Sequence, residues 1–223
     1  MTTARSAAAL LAVAALLPLA GCGGGSSSSG GQDLTIDISY SGLDANLFTP
    51  ILLLPTILGL GNNTPHCTLT SGSLPPGVTV QDGCTLIGTP QAPGSFTATV
   101  SLSVAGIGGS FSVAVHANIR APSLAPVRTT ATQPPDQVIA AGATLRSLTV
   151  VSLQNYTPQN GVVVSYALAS GALPTGLELN TADGTLGGTA TATGRSTFAI
   201  VATLSQAPLF YSTAPQTVVL DVH

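Results

Sequence analysis

Two stretches of this chain, CTLTSGSLPPGVTVQDGCTLIGTPQAPGSFTATVSLSV over residues 67–104 and YALASGALPTGLELNTADGTLGGTATATGRSTFAIVATLS over residues 166–205, are copies of one another. Leu74, Pro75 and Gly77 match Leu173, Pro174 and Gly176. Thr85, Leu86, Gly88 and Thr89 match Thr185, Leu186, Gly188 and Thr189, and Gly94 matches Gly194, with Phe96 read as the counterpart of Phe198. Such a repeat signals one structural unit used twice. Each proline fixes φ where a strand must end, and each following glycine can take the positive φ that such a turn demands. Past the turn, Val78 and Val80 in copy one, and Leu177 and Leu179 in copy two, fall on one face of an extended chain. Thr97, Thr99, Ser101 and Ser103 alternate with Phe96, Ala98, Val100, Leu102 and Val104, and Phe111, Val113 and Val115 keep the same period. This is the pattern of strands buried on one face and wet on the other.

The leucine-proline-x-glycine turn, the short strand and the glycine-threonine-proline of Gly88 to Pro90 resemble the immunoglobulin-like repeats, cadherin-like in fold, of bacterial surface proteins. Copy two departs from the pattern, with Ala190 where the family has proline. The resemblance implies an all-β chain of two tandem Ig-like, cadherin-like β-sandwich domains, over residues 33–120 and 136–223. The intervening 121–135, rich in proline and threonine and without a consistent period, reads as a linker leading into the second domain, whose opening strand is expected around Leu145 to Leu153.

Composition agrees with strands and tight turns: glycine, threonine, serine, valine and alanine dominate, since β-branched side chains fit a pleated surface and glycine supplies φ > 0. Lysine is absent, five arginines face eight acids, and the net charge is −3, so nothing here could follow a nucleic-acid backbone. With no tryptophan and 4% aromatics, the stacking platforms of many sugar and single-strand binders are poorly supplied.

At the N-terminus, Arg5 precedes an apolar run from Ala7 to Leu19 that is too short to span a bilayer stably, which is a secretory signal pattern. It ends in Leu19, Ala20, Gly21 and Cys22, which resembles the lipobox of bacterial lipoproteins. That resemblance implies removal of 1–21 as a signal peptide and lipid attachment to Cys22; the alternative is an ordinary signal peptide that leaves Cys22 as a free thiol. Residues 22–32 then form a lipidated tether, since Gly23 to Gly31 is glycine and serine only and cannot bury enough surface to order. As a random coil, roughly ten such residues would hold the first domain on the order of 15 to 20 Å from the anchor. Gly23 lacks the aspartate that retains many lipoproteins at the inner membrane, so the implied address is the bacterial cell envelope, at the outer membrane.

If Cys22 carries lipid, Cys67 and Cys84 remain as an even pair, and the repeat geometry implied by the resemblance brings their segments together as a disulfide. A redox or metal pair with His66 would need further ligands or a CxxC spacing. Copy two has Tyr166 and Gly184 at the matching positions. His66, His116 and His223 are scattered, and no GxSxG or HExxH surrounds a serine or histidine. Asp33, Asp82 and Asp183 stand near turns, where aspartate bonds backbone, and 121–135 offers no carboxylates for junctional calcium. No catalytic residue, metal or cofactor is expected.

The run LFTPILLLPTILGL, from Leu47 to Leu60, is expected to lie in an insertion that lengthens copy one between its opening strand and its leucine-proline turn. Two readings stay open. Leu47, Phe48, Ile51, Leu52, Leu53, Leu54, Ile57 and Leu58 form either extra core over the end of the sandwich or an exposed partner-binding loop. The expected function is a non-enzymatic, membrane-anchored envelope lipoprotein whose modules serve adhesion, protein binding or spacing. The alternative is a carbohydrate-binding or enzyme-accessory lipoprotein; the partners are thus a membrane, through the lipid, and a protein or polysaccharide.

Overall fold

A computed structural model describes residues 36–128 and 136–223, so the signal stretch, Cys22 and the glycine-serine tether lie outside the described residues, as do 129–135 of the expected linker. The described residues form strands and one 3-10 turn, Asp82–Cys84, and no helix among them is long and apolar enough to cross a membrane.

In the first repeat the strands are β1 (Asp37–Ser39), β2 (Leu43–Asn46), β3 (Ile51–Leu53), β4 (Thr56–Leu58), β5 (Pro65–Gly72), β6 (Val78–Val80), β7 (Leu86–Gly88), β8 (Gly94–Val104) and β9 (Ile107–Arg120). One sheet runs β2-β9-β8-β5, the facing sheet runs β3-β7-β6, and β1 pairs with β4. The second repeat comprises β10 (Ser123–Pro126), β11 (Gln137–Ile139), β12 (Thr144–Thr149), β13 (Val151–Gln154), β14 (Val163–Gly171), β15 (Leu177–Leu179), β16 (Thr185–Thr189), β17 (Gly194–Gln206), β18 (Leu209–Ser212) and β19 (Gln216–Val222). Its sheets are β11-β19-β17-β14, with β18 added on β17, then β12-β16-β15 and the pair β10-β13. The two repeats correspond strand for strand, down to β2 and β11, each parallel to the last strand of its own repeat.

The leucine-proline turn carries the chain from one sheet to the other. Val78 N–H donates to Pro75 C=O and Leu177 N–H to Pro174 C=O, both at 3.0 Å. Glycine is required because Gly77 and Gly176 have φ of 84° and 89°, and a Cβ at either would collide with the carbonyl oxygen of Thr89 or Thr189. Ala190, the departure from the family pattern, keeps the turn: Thr191 N–H bonds Thr175 C=O at 3.0 Å, as Gln91 N–H bonds Pro76 C=O at 2.9 Å.

Three expectations need correction. First, the Leu47–Leu60 run is not an insertion. It contains β3 and β4, whose counterparts β12 and β13 pair in the same way with β16 and β10. The repeats differ instead in one break: β18 and β19 lie end to end along one edge of β17, where β9 runs unbroken beside β8. The error has a physical source: the copy-two strands carry polar residues on their outer face, so they share no composition with the leucine-rich run. Second, Phe198 corresponds to Ala98, since each pairs with the glycine that ends the neighbouring strand, Gly171 and Gly72. Third, residues 123–126 of the expected linker are strand β10, which buries Leu124 opposite Leu153 in the second core and opens that repeat ahead of Leu145. Just beyond it, Asp136, 3% exposed at its side chain, takes Arg128 Nε–H at 2.6 Å and Val219 N–H at 2.9 Å, so its buried charge is paired and bonded.

Each repeat has its own core, Ile38, Leu86, Val100 and Leu102 in the first and Leu186, Phe198, Ile200 and Leu220 in the second. A third cluster joins them. Leu47, Phe48 and Ile119 meet Leu204, with Phe96, Tyr156, Val162, Leu209 and Tyr211 packed around. Phe48 is fully buried at φ 61°, a left-handed backbone that is strained for an aromatic residue. Its counterpart is Gly142, at φ 80°: Phe48 N–H donates to Pro90 C=O as Gly142 N–H donates to Ala190 C=O. The ring's burial between the repeats offsets that strain. Phe48→Gly should relax the backbone yet cost about 2–3 kcal/mol through the lost ring. Calorimetry should then resolve two unfolding transitions where the unsubstituted chain shows one.

Candidate functional site

The apolar run divides by side-chain direction. Leu47 and Phe48 belong to the junction, while Ile51, Leu53 and Ile57 turn inward onto the first core. Leu52, Leu54 and Leu58 turn outward and are 64%, 65% and 60% exposed. Strict alternation over β3 and β4 produces this split, so extra core and exposed surface, set against each other on sequence grounds, are two faces of one segment. Pro55 sits where the chain leaves β3 for β4 and no ladder bond is asked of its nitrogen.

Cys67 and Cys84 are joined by a disulfide with their Cα atoms 5.0 Å apart. Cys84 lies at the end of the 3-10 turn with φ 66°, and its carbonyl accepts the Tyr40 hydroxyl at 2.5 Å. Burial pushes the Tyr40 phenol up to about 12. In copy two the same place holds Gly184, at φ 73°, beneath the ring of Tyr166; a Cβ there would lie 2.7 Å from a ring carbon. Burial, and then the neighbouring Asp183, raises the Tyr166 phenol, whereas Asp183 is held below the usual carboxylate range by the hydroxyl and N–H of Thr185, at 2.7 and 3.0 Å. One repeat therefore closes this corner covalently, and the other lays an aromatic ring on a glycine.

His66 lies beside the disulfide but pairs with Asp82 at 3.5 Å across open solvent, where an ion pair contributes little. His116 Nδ1 stands 3.4 Å from the Thr97 hydroxyl on the exposed face of β8 and β9. Among the described residues no three metal-capable side chains converge. An open groove of about 560 Å³ runs between the edge strands β5 and β6, lined by Leu69, Leu74, Pro75, Val78 and Val80, and offers apolar contact rather than acid-base chemistry. Sequence reasoning missed the junction role of Phe48, the Arg128–Asp136 pair and Tyr40. Phe48 had a usable signal, since a phenylalanine stands where copy two has glycine.

Because Tyr166 and Gly184 overlie Cys67 and Cys84, the double variant Tyr166→Cys/Gly184→Cys should oxidise to a second disulfide, seen as hydrogen loss by mass spectrometry under non-reducing conditions. Reducing the native bond should lower stability by about 3 kcal/mol.

No curated protein matches the sequence. Among solved structures, the endo-fucoidan hydrolase MfFcnA4 from glycoside hydrolase family 107 is 15% identical, with 83% of this chain and 28% of that one covered and a TM-score of 0.33. Protocadherin gammaB7 EC3-6 is 14% identical, covering 83% and 50%, with a TM-score of 0.31. A SusE-like surface located polysaccharide binding protein from the Bacteroides thetaiotaomicron heparin utilisation locus is 15% identical, covering 84% and 34%, with a TM-score of 0.34. The chain thus spans between 28% and 50% of the lengths of these proteins. Residues 125–223 match the family described as Putative Ig domain, so the second sandwich is Ig-like, and the first shares that fold strand for strand.

Proposed function

We propose that this chain is a non-enzymatic lipoprotein of the bacterial cell envelope, held at the outer membrane by lipid on Cys22, whose two Ig-like modules serve adhesion, protein binding or spacing. The observation that carries this reading is the junction. Leu47, Phe48 and Ile119 against Leu204 make one continuous body of two sandwiches, and a stiff body is what a spacer or contact module needs. The polar pairs, His66 with Asp82 and Thr97 with His116, are solvent-facing neighbours on separate surfaces and do not converge on one point. Replacing Cys22→Ala should move the protein from the membrane to the soluble fraction while its circular dichroism stays that of a β-sandwich. Retention in the outer membrane would refute the anchor.

A second reading, carbohydrate binding, is favoured by one surface. Phe210 is 73% exposed on β18, and strand pairing sets it in a row with Ser205 and Val163, next to a row of Ser212, Thr203 and Ser165. A lone ring beside rows of hydroxyls suits a neutral sugar polymer, whose C–H faces stack on aromatics and whose hydroxyls exchange hydrogen bonds with serine and threonine. On a glycan array the intact chain should then bind a neutral polysaccharide and Phe210→Ala should lose it. Silence across plant, algal and peptidoglycan polymers would retire this reading.

A further inference from the structure

We propose that Leu52, Leu54 and Leu58 form a bilayer-docking face that lays the first sandwich against the membrane surface; the proposal rests on the lipid anchor at Cys22. The repeat supplies its own control. Ile51 pairs with Gly88 as Leu145 pairs with Gly188, so Leu52 corresponds to a bulge of two exposed residues, Arg146 and Ser147. Leu53 pairs with Leu86 as Leu148 pairs with Leu186, so Leu54 corresponds to Thr149. Ile57 pairs with Ile38 as Leu153 pairs with Leu124, so Leu58 corresponds to Gln154. The fold therefore solvates this face with Arg146, Ser147, Thr149 and Gln154 in one repeat and presents three leucines in the other. Nothing in the architecture calls for leucine there, and an aligned apolar stripe marks a contact surface.

The occupant is indicated by where the chain outside the described residues ends. Asp37, the first residue of β1, pairs directly with Leu58, and Ile36 before it is already buried. The tether thus arrives at one end of the stripe. Residues 23–36, treated as a random coil, span roughly 20 Å, and the stripe itself is roughly 20 Å long at the strand rise. An anchor this close holds the leucines at an effective concentration in the millimolar range, so a contact too weak to bind alone becomes populated. A second copy is a poorer occupant, because three leucines supply a few hundred Å², against roughly 800 Å² per partner in a stable protein interface. Asp37 is the single ionisable side chain on β1, β3, β4 and β7. Docking is then apolar, independent of anionic lipid and insensitive to salt, unlike capture by a basic patch. Because β3 is a sheet edge with unpaired backbone groups, the face rests in the hydrated interface and does not enter the hydrocarbon.

The test uses the full lipidated chain in phosphatidylcholine vesicles doped with spin-labelled quencher lipid. A fluorophore is placed on Thr56→Cys, between Leu54 and Leu58, or on Thr149→Cys, the exposed counterpart of Leu54, with acylation of Cys22 read by mass spectrometry. Quenching at position 56 should exceed that at 149 several-fold and persist in high salt, and Leu52→Arg/Leu54→Thr/Leu58→Gln should reduce it to the level at 149. Those substitutions are the residues copy two already folds with. Equal quenching at 56 and 149 in acylated, vesicle-bound protein overturns the docking face and leaves the anchor standing. Shielding at 56 that grows with protein concentration and ignores the quencher lipid makes a second copy the occupant and also overturns it. A chain without acyl groups at Cys22 overturns the anchor, and the docking face with it.

Discussion

Alternate side chains of two long strands, β8 and β17, have to leave water together, and the other strands are arranged around that requirement. Ala98, Val100, Leu102 and Val104 on one, and Phe198, Ile200, Ala202 and Leu204 on the other, point the same way from the middle of a sheet, flanked by strands on both sides. A buried aliphatic side chain contributes on the order of 1.5–3 kcal/mol, but only if a second layer covers it. The leucine-proline turn supplies that layer by sending the chain from β5 across to β6, and the glycine after the proline lets backbones approach where any Cβ would intrude.

Around this shared frame the repeats solve local problems differently. The corner closed by Cys67 and Cys84 is filled in copy two by the Tyr166 ring over Gly184. Where Pro90 offers no N–H, Ala190 has one and directs it at the Ala143 carbonyl, at 3.4 Å. Copy two holds β10 and β11 together with the Arg128–Asp136 pair and with the Gln137 amide, which reaches the carbonyls of Val127 and Thr149. The frame is backbone geometry and period-two burial; the fastenings are interchangeable side-chain chemistry.

That division explains what was legible in the sequence. Turn glycines and alternating strands follow local rules, so the all-β class, the two repeats and the inward rows of β8 and β9 could be read directly, as could the pairing of Cys67 with Cys84 once the repeat was recognised. Residues whose role depends on distant parts of the chain could not. The leucine-rich run looked like an insertion because its counterpart shares only backbone pairing with it, and pairing leaves no mark on composition. Phe96 was matched to Phe198 by chemistry, whereas register assigns that place to Ala98 and sends Phe96 to the junction.

The junction also has a direction. Its plug, Leu47 and Phe48, sits at one end of the first sandwich, and its socket, Leu204 with Tyr156, Leu209 and Tyr211, at the opposite end of the second. Contacts of this heterologous, head-to-tail kind propagate into fibres when every unit carries both halves. Here Ala141 and Gly142 occupy the plug positions of the second sandwich, and neither has a large apolar side chain to fill a socket. The interface is spent within one chain, and a repeat protein so built is protected from polymerising through its own repeat.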